Sequence, residues 1–462
     1  MNVTRRRIWG WMLYDWAQQP YATLGLTFIF GPYFAAVAAG YFEAQGLTSA
    51  EADAGAQSLW SSAQTIAGLF IALTAPFLGA LADASGRKMR WIIGFSVLAM
   101  LCIAGTWMLE PDGTSLYLVT FLFWIGFVAS ESAFNLNNAI LPSLGPAGRV
   151  GRISGGAAAF GYWGGVLALV ITLLFFAENA SGTTLIGLAP PFGLDPAARE
   201  GTRFTGPFIA IWFAIFLIPY LLWVREVPPK ETPPPLGAVW GDLKATLRRT
   251  VRRRSLRNFL LASMFYRDGL AALYAYGGFY ATLVLDWEIT QVGIFGIISA
   301  VAAAILTWVG GRFDERIGPK PVIALCCVVL AVVSTIIIGI SPADLYGLPF
   351  PEGSAMADYI FYFCGVLIGG AGGTLYSASR SLMVRHADPE RPAEAFGLFA
   401  LSGRATAFLA PLLIALATVI TGDNQLGFFP VILLLLLGLL LLVFVNKDGD
   451  RAEWSASSSP SA

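Results

Sequence analysis

Charge is scarce in this sequence. Only 13% of its 462 residues are Asp, Glu, Lys or Arg, where a soluble globular protein has about 25%. Hydrophobic residues make up 56% and the mean hydropathy is +0.67, so too few polar side chains remain to cover a water-facing surface. That excludes a soluble enzyme or a disordered chain for most of the length and predicts a polytopic membrane protein. Histidine is nearly absent: His386 is the single copy, in a charged stretch. The four cysteines, Cys102, Cys326, Cys327 and Cys364, all lie in apolar runs without C-x-x-C spacing, which supports neither a zinc site nor a disulfide framework. The phosphate-binding pattern G-x-x-x-x-G-K-S/T is missing, so transport driven by the chain's own ATP hydrolysis is not expected. Nothing matches a nucleophile elbow or H-E-x-x-H. No catalytic residue, metal or cofactor is expected.

What is abundant is apolar length. A spanning helix needs ~20 mostly apolar residues, and twelve runs qualify: approximately 9–39, 57–81, 89–109, 115–141, 153–177, 204–224, 257–285, 291–311, 320–340, 357–383, 395–420 and 427–445. Arg5-Arg6-Arg7, an apolar run and Ala36-Val37-Ala38 together have the outline of a signal peptide. Asp15, Gln18, Gln19 and Pro20 interrupt that run and it extends too far, so it is read as the first span.

The net charge is zero, with 29 basic and 29 acidic residues, but the signs are segregated. The N-terminus and the stretches near 82–90, 142–152, 225–256, 312–320, 384–394 and 446–462 hold 24 Lys and Arg, counting Arg257 at the edge of 225–256. The alternate stretches hold two, Arg199 and Arg203, and many acids. By the positive-inside rule the basic set is cytoplasmic, with both termini inside a bacterial inner membrane. The expected organisation is a six-helix half over 1–224, a linker over 225–256, a second six-helix half over 257–446 and a disordered tail over 447–462. In the linker, Leu236, Val239, Trp240, Leu243, Leu247 and Val251 recur every three or four residues, with Lys244, Arg248, Arg249, Arg252 and Arg253 largely on other faces. This reads as a basic amphipathic helix on the inner leaflet, with anionic lipid head groups rather than nucleic acid as its partner.

A repeat relates the two halves. After the second span comes Gly79-Ala-Leu-Ala-Asp83-Ala-Ser-Gly86-Arg87-Lys88, and after the eighth Gly310-Gly-Arg312-Phe-Asp314-Glu-Arg316-Ile-Gly318-Pro-Lys320. Each reads G-x-x-x-D, then Gly, then a base. A charged turn would explain one copy; two at matching places resemble the signature loop of the major facilitator superfamily. The resemblance covers the whole chain and implies an all-α fold of twelve transmembrane helices in two pseudo-symmetric halves. Within the loop, glycines let helix ends approach, and Asp83 can sit against the positive N-terminus of a neighbouring helix. The resemblance implies that Gly79, Asp83, Gly86, Arg87, Lys88, Gly310, Asp314, Gly318 and Lys320 act in gating.

Four further segments narrow the family: Trp11-Met-Leu-Tyr14-Asp15-Trp16-Ala17 with Tyr21-Ala22, Tyr266-Arg267-Asp268-Gly269, Ser379-Arg380-Ser381-Leu382, and Phe396-Gly-Leu-Phe-Ala-Leu-Ser402-Gly403-Arg404-Ala405. This set resembles the vacuole-effluxer-like family, the branch named for autophagy-related amino-acid exporters. The fourth span departs from the drug/proton antiporter pattern, with Glu131 where that pattern has Arg, and the fifth has its glycines but not its Gly-Pro.

Six ionisable residues fall within spans: Asp15, Glu131, Arg267, Asp268, Arg380 and Arg404. Each costs at least ~2.5 kcal/mol at the bilayer centre by insertion scales, so each is expected to face the bundle interior and be paired. Arg267 and Asp268 are chain neighbours about 100° apart on a helix and do not face each other. Arg267 is expected to answer an acid of the other half, Asp15 first. Asn135 lies one turn from Glu131 on the same face, and Tyr14 and Tyr266 could line a cavity. The candidate substrate and coupling residues are therefore Asp15, Glu131, Asn135, Arg267, Asp268, Tyr14, Tyr266, Arg380 and Arg404. Arg380, Arg404 and Asp15 serve equally well as gate and packing groups. The expected function is secondary active transport of a small polar solute, amino-acid efflux first, by a monomer coupled to protons. Another small metabolite such as an organic acid or sugar, or a non-transporting sensor or scaffold, is the alternative.

Overall fold

The computed structural model describes residues 5–179, 181–225, 241, 245, 247–285, 287, 289–351, 353–423 and 425–450. The first span begins as α1 (Arg5–Pro20), passes through a π-helical stretch (Tyr21–Phe28) and continues as α2 (Phe30–Ala44). Then come α3 (Ser49–Ser85), α4 (Lys88–Gly105), α5 (Leu116–Asn138), α6 (Ala147–Phe175), the short α7 (Glu200–Arg203) and α8 (Thr205–Trp223). After the central segment follow α9 (Arg254–Val284), α10 (Ile289–Ile317), α11 (Pro319–Gly339), α12 (Met356–His386), α13 (Pro392–Ser402), α14 (Leu409–Thr421) and α15 (Phe429–Val443). A small antiparallel hairpin, β1 (Asp344–Leu345) with β2 (Leu348–Pro349), links α11 to α12.

Among the described residues ten helical segments are long and apolar enough to cross a membrane, α1–α2 counting as one. Helix α9, whose intramembrane Arg267 and Asp268 lower its hydropathy, and the pair α13–α14 complete twelve. The run at 395–420 is expected as one helix, but residues 403–408 form turns that divide it. Pro411 is the physical reason: it has no N–H to give the carbonyl four residues back, and its ring crowds that turn. Pro32 acts alike in the first span, where Ile29 leaves helical geometry at φ −122°, ψ −66°. The linker positions Leu236, Val239, Trp240, Leu243 and Lys244 lie outside the described residues, as does 451–462. Residues 247–252 are helical, with Leu247 and Val251 exposed and Thr250 buried.

Contacts sort the chain into two compact units. One comprises Met1–Ile71, Arg87–Asn137 and Phe160–Pro228; the other comprises Ala72–Gly86, Asn138–Ala159 and Pro229–Ala462. In the first unit α1 packs on α8, and Trp16 lies 5.7 Å from Trp212 and 4.4 Å from Phe160 between ring centroids. Glycine lets α6 approach α1: a Cβ on Gly161 would come within 3.1 Å of the Asp15 carbonyl, and one on Gly164 within 2.9 Å of the Trp16 carbonyl. Small residues at such crossings are how membrane helices gain dispersion contacts without a hydrophobic driving force.

In the second unit α10 lies against α12 through Gly365 and Gly369; a Cβ on Gly365 would reach 2.6 Å from the Phe295 ring, and one on Gly369 would overlap the Ser299 carbonyl. Gly369→Val is therefore expected to force these helices apart at a cost of about 1–3 kcal/mol. The check is the melting temperature of the purified protein; a value equal to the parent's would show that α10 and α12 do not depend on this approach.

Candidate functional site

The break between α13 and α14 interrupts the backbone ladder, leaving carbonyls at the end of α13 and N–H groups at the start of α14 without the partners a continuous helix would give. Adjacent residues of α9 reach both ends. Arg267 donates from Nη1 to the Phe399 carbonyl in the last turn of α13 at 3.0 Å, where the Gly403 N–H at 3.2 Å and the Ser402 hydroxyl at 2.9 Å also donate. Its guanidinium also lies 4.5 Å from the Phe399 ring centroid and 5.7 Å from that of Tyr376. Asp268, 4% exposed, accepts the Ala410 N–H of α14 on Oδ2 at 3.0 Å. The two side chains point about 100° apart because they are consecutive on a helix, and that divergence lets one reach each broken end. A cation at a helix C-terminus and an anion at an N-terminus both suit the helix dipole. Gly403 makes the approach possible, since any Cβ there would overlap the Arg267 guanidinium.

The rest of the break is held by hydroxyl groups. Thr406 Oγ1 donates to the Met264 carbonyl at 3.3 Å, and the Ser263 and Ser402 hydroxyls lie 2.9 Å apart. Tyr266 is fully buried and its hydroxyl pairs with Ser379 at 2.8 Å. Arg404 lies within the break, half-buried.

Arg380 is fully buried on α12 and contributes three donors. Nε reaches Ser154 Oγ at 3.1 Å, Nη2 the Ser154 carbonyl at 2.8 Å and Nη1 the Asn138 Oδ1 at 3.1 Å. It thereby ties the end of α5 and the start of α6 to α12, and the Ser154 hydroxyl donates onward to the Ser377 carbonyl at 2.8 Å. Tyr376 stands one turn before Arg380, with its ring centroid 5.5 Å from that guanidinium as well. The sequence reading missed Tyr376; its spacing of four from Arg380 was the available signal.

In the first unit, Tyr14 is fully buried, its hydroxyl 2.9 Å from that of Ser96 and its ring packed on Phe213 and Tyr220. Those contacts place it in packing. Asp15 is buried beside Gly161. Glu131 and Asn135 are both half-buried on α5, one turn apart, and the buried Gln18 amide donates to Ser130 at 3.0 Å.

The repeated loops meet helix ends. Asp83 Oδ2 accepts the Glu394 N–H in the first turn of α13 at 2.7 Å, and Gly79 lies so close to the Ala393 carbonyl that no Cβ fits. Asp314, 2% exposed, accepts from the Ser381 hydroxyl at 3.2 Å and fills the space beside Gly151 near the start of α6. A Cβ on Gly310 would overlap Thr374. Gly86 at φ +59° and Gly318 at φ +86° occupy left-handed backbone that only glycine adopts freely. Arg87 is exposed and Lys88 opens α4. Lys320 donates to the Val443 and Val445 carbonyls at 3.0 and 2.7 Å, neutralising the C-terminus of α15.

Asp83→Asn keeps an acceptor but removes the charge, worth about 0.3–1 kcal/mol at a helix N-terminus. The distance between spin labels at Ala84 and Glu390 is expected to broaden in this variant. A distribution identical to the parent's would leave the loop a plain turn.

A family model described as "Vacuole effluxer Atg22 like" matches residues 3–455. The chain is similar to the "Uncharacterized MFS-type transporter YxiO" of Bacillus subtilis (strain 168), 24% identical over 446 residues that cover 95% of this chain and 94% of the other. It is also 24% identical over 319 residues to "Autophagy-related protein 22" of Cryptococcus neoformans, covering 66% of this chain and 53% of the fungal protein, so that match spans about half the fungal length. Among solved structures, the human organic anion transporter MFSD10 superposes with TM-score 0.67 at 16% identity, over 95% of this chain and 99% of that one. The proton:xylose symporter XylE superposes with TM-score 0.65 at 13% identity, over 97% and 99%. These likenesses show the all-α, twelve-helix major facilitator fold. With apolar spans throughout and a family match along nearly its whole length, the chain is a multi-pass membrane transporter that belongs to the vacuole effluxer Atg22-like family.

Proposed function

We propose that this protein is a secondary active transporter of a small polar solute, amino acids first, working by alternating access and driven by protons. The observation that carries this reading is the Arg267–Asp268 step set against the break between α13 and α14. Discontinuous helices with charged groups at their exposed ends are where gradient-driven transporters bind ions and solutes. A proton taken up by Asp268 would cancel the charge facing the α14 N-terminus and loosen that end, while Arg267 can present a planar fork to a carboxylate. Glu131, half-buried beside Asn135, is the second candidate proton carrier. The family description and the fungal relatives' name support the efflux reading. Segments 1–224 and 257–446 act as the rocking halves, and Asp83 and Asp314 as gate contacts.

The segregation of basic residues supports both termini being cytoplasmic in a bacterial inner membrane, with 225–256 resting on anionic lipid. Uptake by purified protein in liposomes, tested for each standard amino acid with and without an imposed pH gradient, decides the substrate. At least one amino acid is expected to accumulate only with the gradient. If none moves while an organic acid or sugar does, the amino-acid reading fails.

A further inference from the structure

Three consecutive arginines, Arg252, Arg253 and Arg254, stand where helical residues 247–252 give way to α9. The backbone turns at the middle one: Arg253 is extended at φ −83°, ψ 101°. The outer two therefore belong to different helices. The recess at this turn is closed by the end of α15, on which α9 packs, and by the residues that follow it. Asn446 donates its backbone N–H to Ser255 Oγ at 2.8 Å, and the Asp450 N–H reaches the Arg385 carbonyl at 3.2 Å. Lys320 already answers the last carbonyls of α15, so that helix end sets no bare negative pole against the recess.

The arginines are not equivalent. Arg253 has an acid, its Nη1 lying 4.0 Å from the buried Asp450 carboxylate. Arg252 and Arg254 are exposed, and among the described residues neither side chain makes a hydrogen bond or an ion pair. The lining thus sets three guanidinium groups against one carboxylate, an excess of two positive charges. Like charges held this close repel one another, and a bound anion relieves that repulsion.

The recess is an open cavity of about 550 Å³, and Val443, Phe444 and Val445 form its apolar wall. Val443 and Phe444 are each 64% exposed. They end α15, which carries no polar side chain, so they mark where hydrocarbon gives way to head groups. A cationic mouth beside a wall that continues into hydrocarbon suits an anion with an apolar tail. A soluble anion would leave Val443 and Phe444 in water; a phospholipid covers both.

We propose that this recess is a discrete binding site for one anionic phospholipid of the inner leaflet. The phosphate takes the Arg252 and Arg254 guanidinium groups, whose planar forks match phosphate oxygens, and the acyl chains run along Val443 and Phe444. The site rests on the reading that 225–256 meets anionic lipid and narrows it to two arginines and the end of α15. Once bound, the head group ties the start of α9, the helix that carries Arg267 and Asp268, to α15.

The test uses full-length protein carrying Val443→Cys labelled with bimane, because the four native cysteines are buried. Bilayers mix phosphatidylcholine with phosphatidylglycerol, and one lipid or the other has brominated chains that quench the label. The ratio of the two quenching curves gives the relative affinity at the recess. Phosphatidylglycerol is expected to be preferred about tenfold or more, as two arginines at an anionic surface provide. Arg252→Gln with Arg254→Gln should bring the preference close to one. Arg225→Gln with Arg248→Gln removes as much charge from the same loop, again at exposed positions, and should leave the preference intact. An equal loss in both pairs would overturn the site and leave only a diffuse attraction of the loop. No preference in the parent would overturn it as well; a bimane at Leu247→Cys, exposed on the linker helix, then reports separately whether 225–256 still favours the anionic lipid. Glycerol 3-phosphate has the head-group chemistry without the chains. If it abolishes the preference, the recess takes a soluble phosphate and the lipid assignment is wrong.

Discussion

Exchanging Arg380 for lysine, which keeps the positive charge, is expected to destabilise the protein nearly as much as removing the side chain. The guanidinium serves three acceptors in different directions, Ser154 Oγ, the Ser154 carbonyl and Asn138 Oδ1. A lysine has one nitrogen at the end of a flexible stem and cannot span them. Losing two hydrogen bonds from a charged donor, at about 1.5–3 kcal/mol each, predicts a loss of about 3 kcal/mol or more. The damage should be local first: amides of 138–159 should exchange with deuterium faster, because Arg380 anchors that segment to α12. Arg380→Lys melting with the parent would mean that only the charge matters at this position, as it would for a group that meets a solute as a point charge.

Reversing the order of two residues is expected to do still more harm. In the double variant Arg267→Asp with Asp268→Arg, composition and net charge are unchanged. Each charge, however, would face the wrong end of the broken span. A carboxylate would point at the Phe399 carbonyl and a guanidinium at the Ala410 N–H. Each mismatch forfeits the favourable dipole contact, up to about 2 kcal/mol in a partly buried setting, and adds a repulsive one. The single changes grade in a stated order. Asp268→Asn keeps an acceptor for Ala410 and should be mild. Asp268→Ala leaves that N–H unpaired, at about 1–3 kcal/mol. The swapped pair should be worse than either in melting temperature and in solute exchange. A swapped protein as stable as the parent would show that α13 and α14 are not held by these charges.

The spans were legible because the bilayer fixes both length and composition, so ~20 apolar residues in a row carry the architecture directly. The breaks were harder. Pro32 and Pro411 are visible in the sequence, but proline is tolerated in membrane helices where neighbours satisfy the freed backbone. That Arg267 and Asp268 do this for the α13–α14 break depends on how α9 lies against it, and no spacing along the chain encodes that. Arg380 stood out as a buried charge. Its partners, a serine on α6 and an asparagine at the end of α5, are hundreds of residues distant and neutral, so charge counting had no route to them.

The most direct measurement follows protons and solute in the same vesicles. Liposomes holding the protein and a trapped pH-sensitive dye receive an equimolar mixture of the standard amino acids, and proton movement is compared with counterflow of the same mixture radiolabelled. Wild-type protein is expected to move protons with solute. Asp268→Asn, with normal size-exclusion behaviour, is expected to retain counterflow, which needs no net proton transfer, and to lose the proton signal. Proton movement at the wild-type rate through Asp268→Asn would contradict the assignment of coupling to the Arg267–Asp268 step.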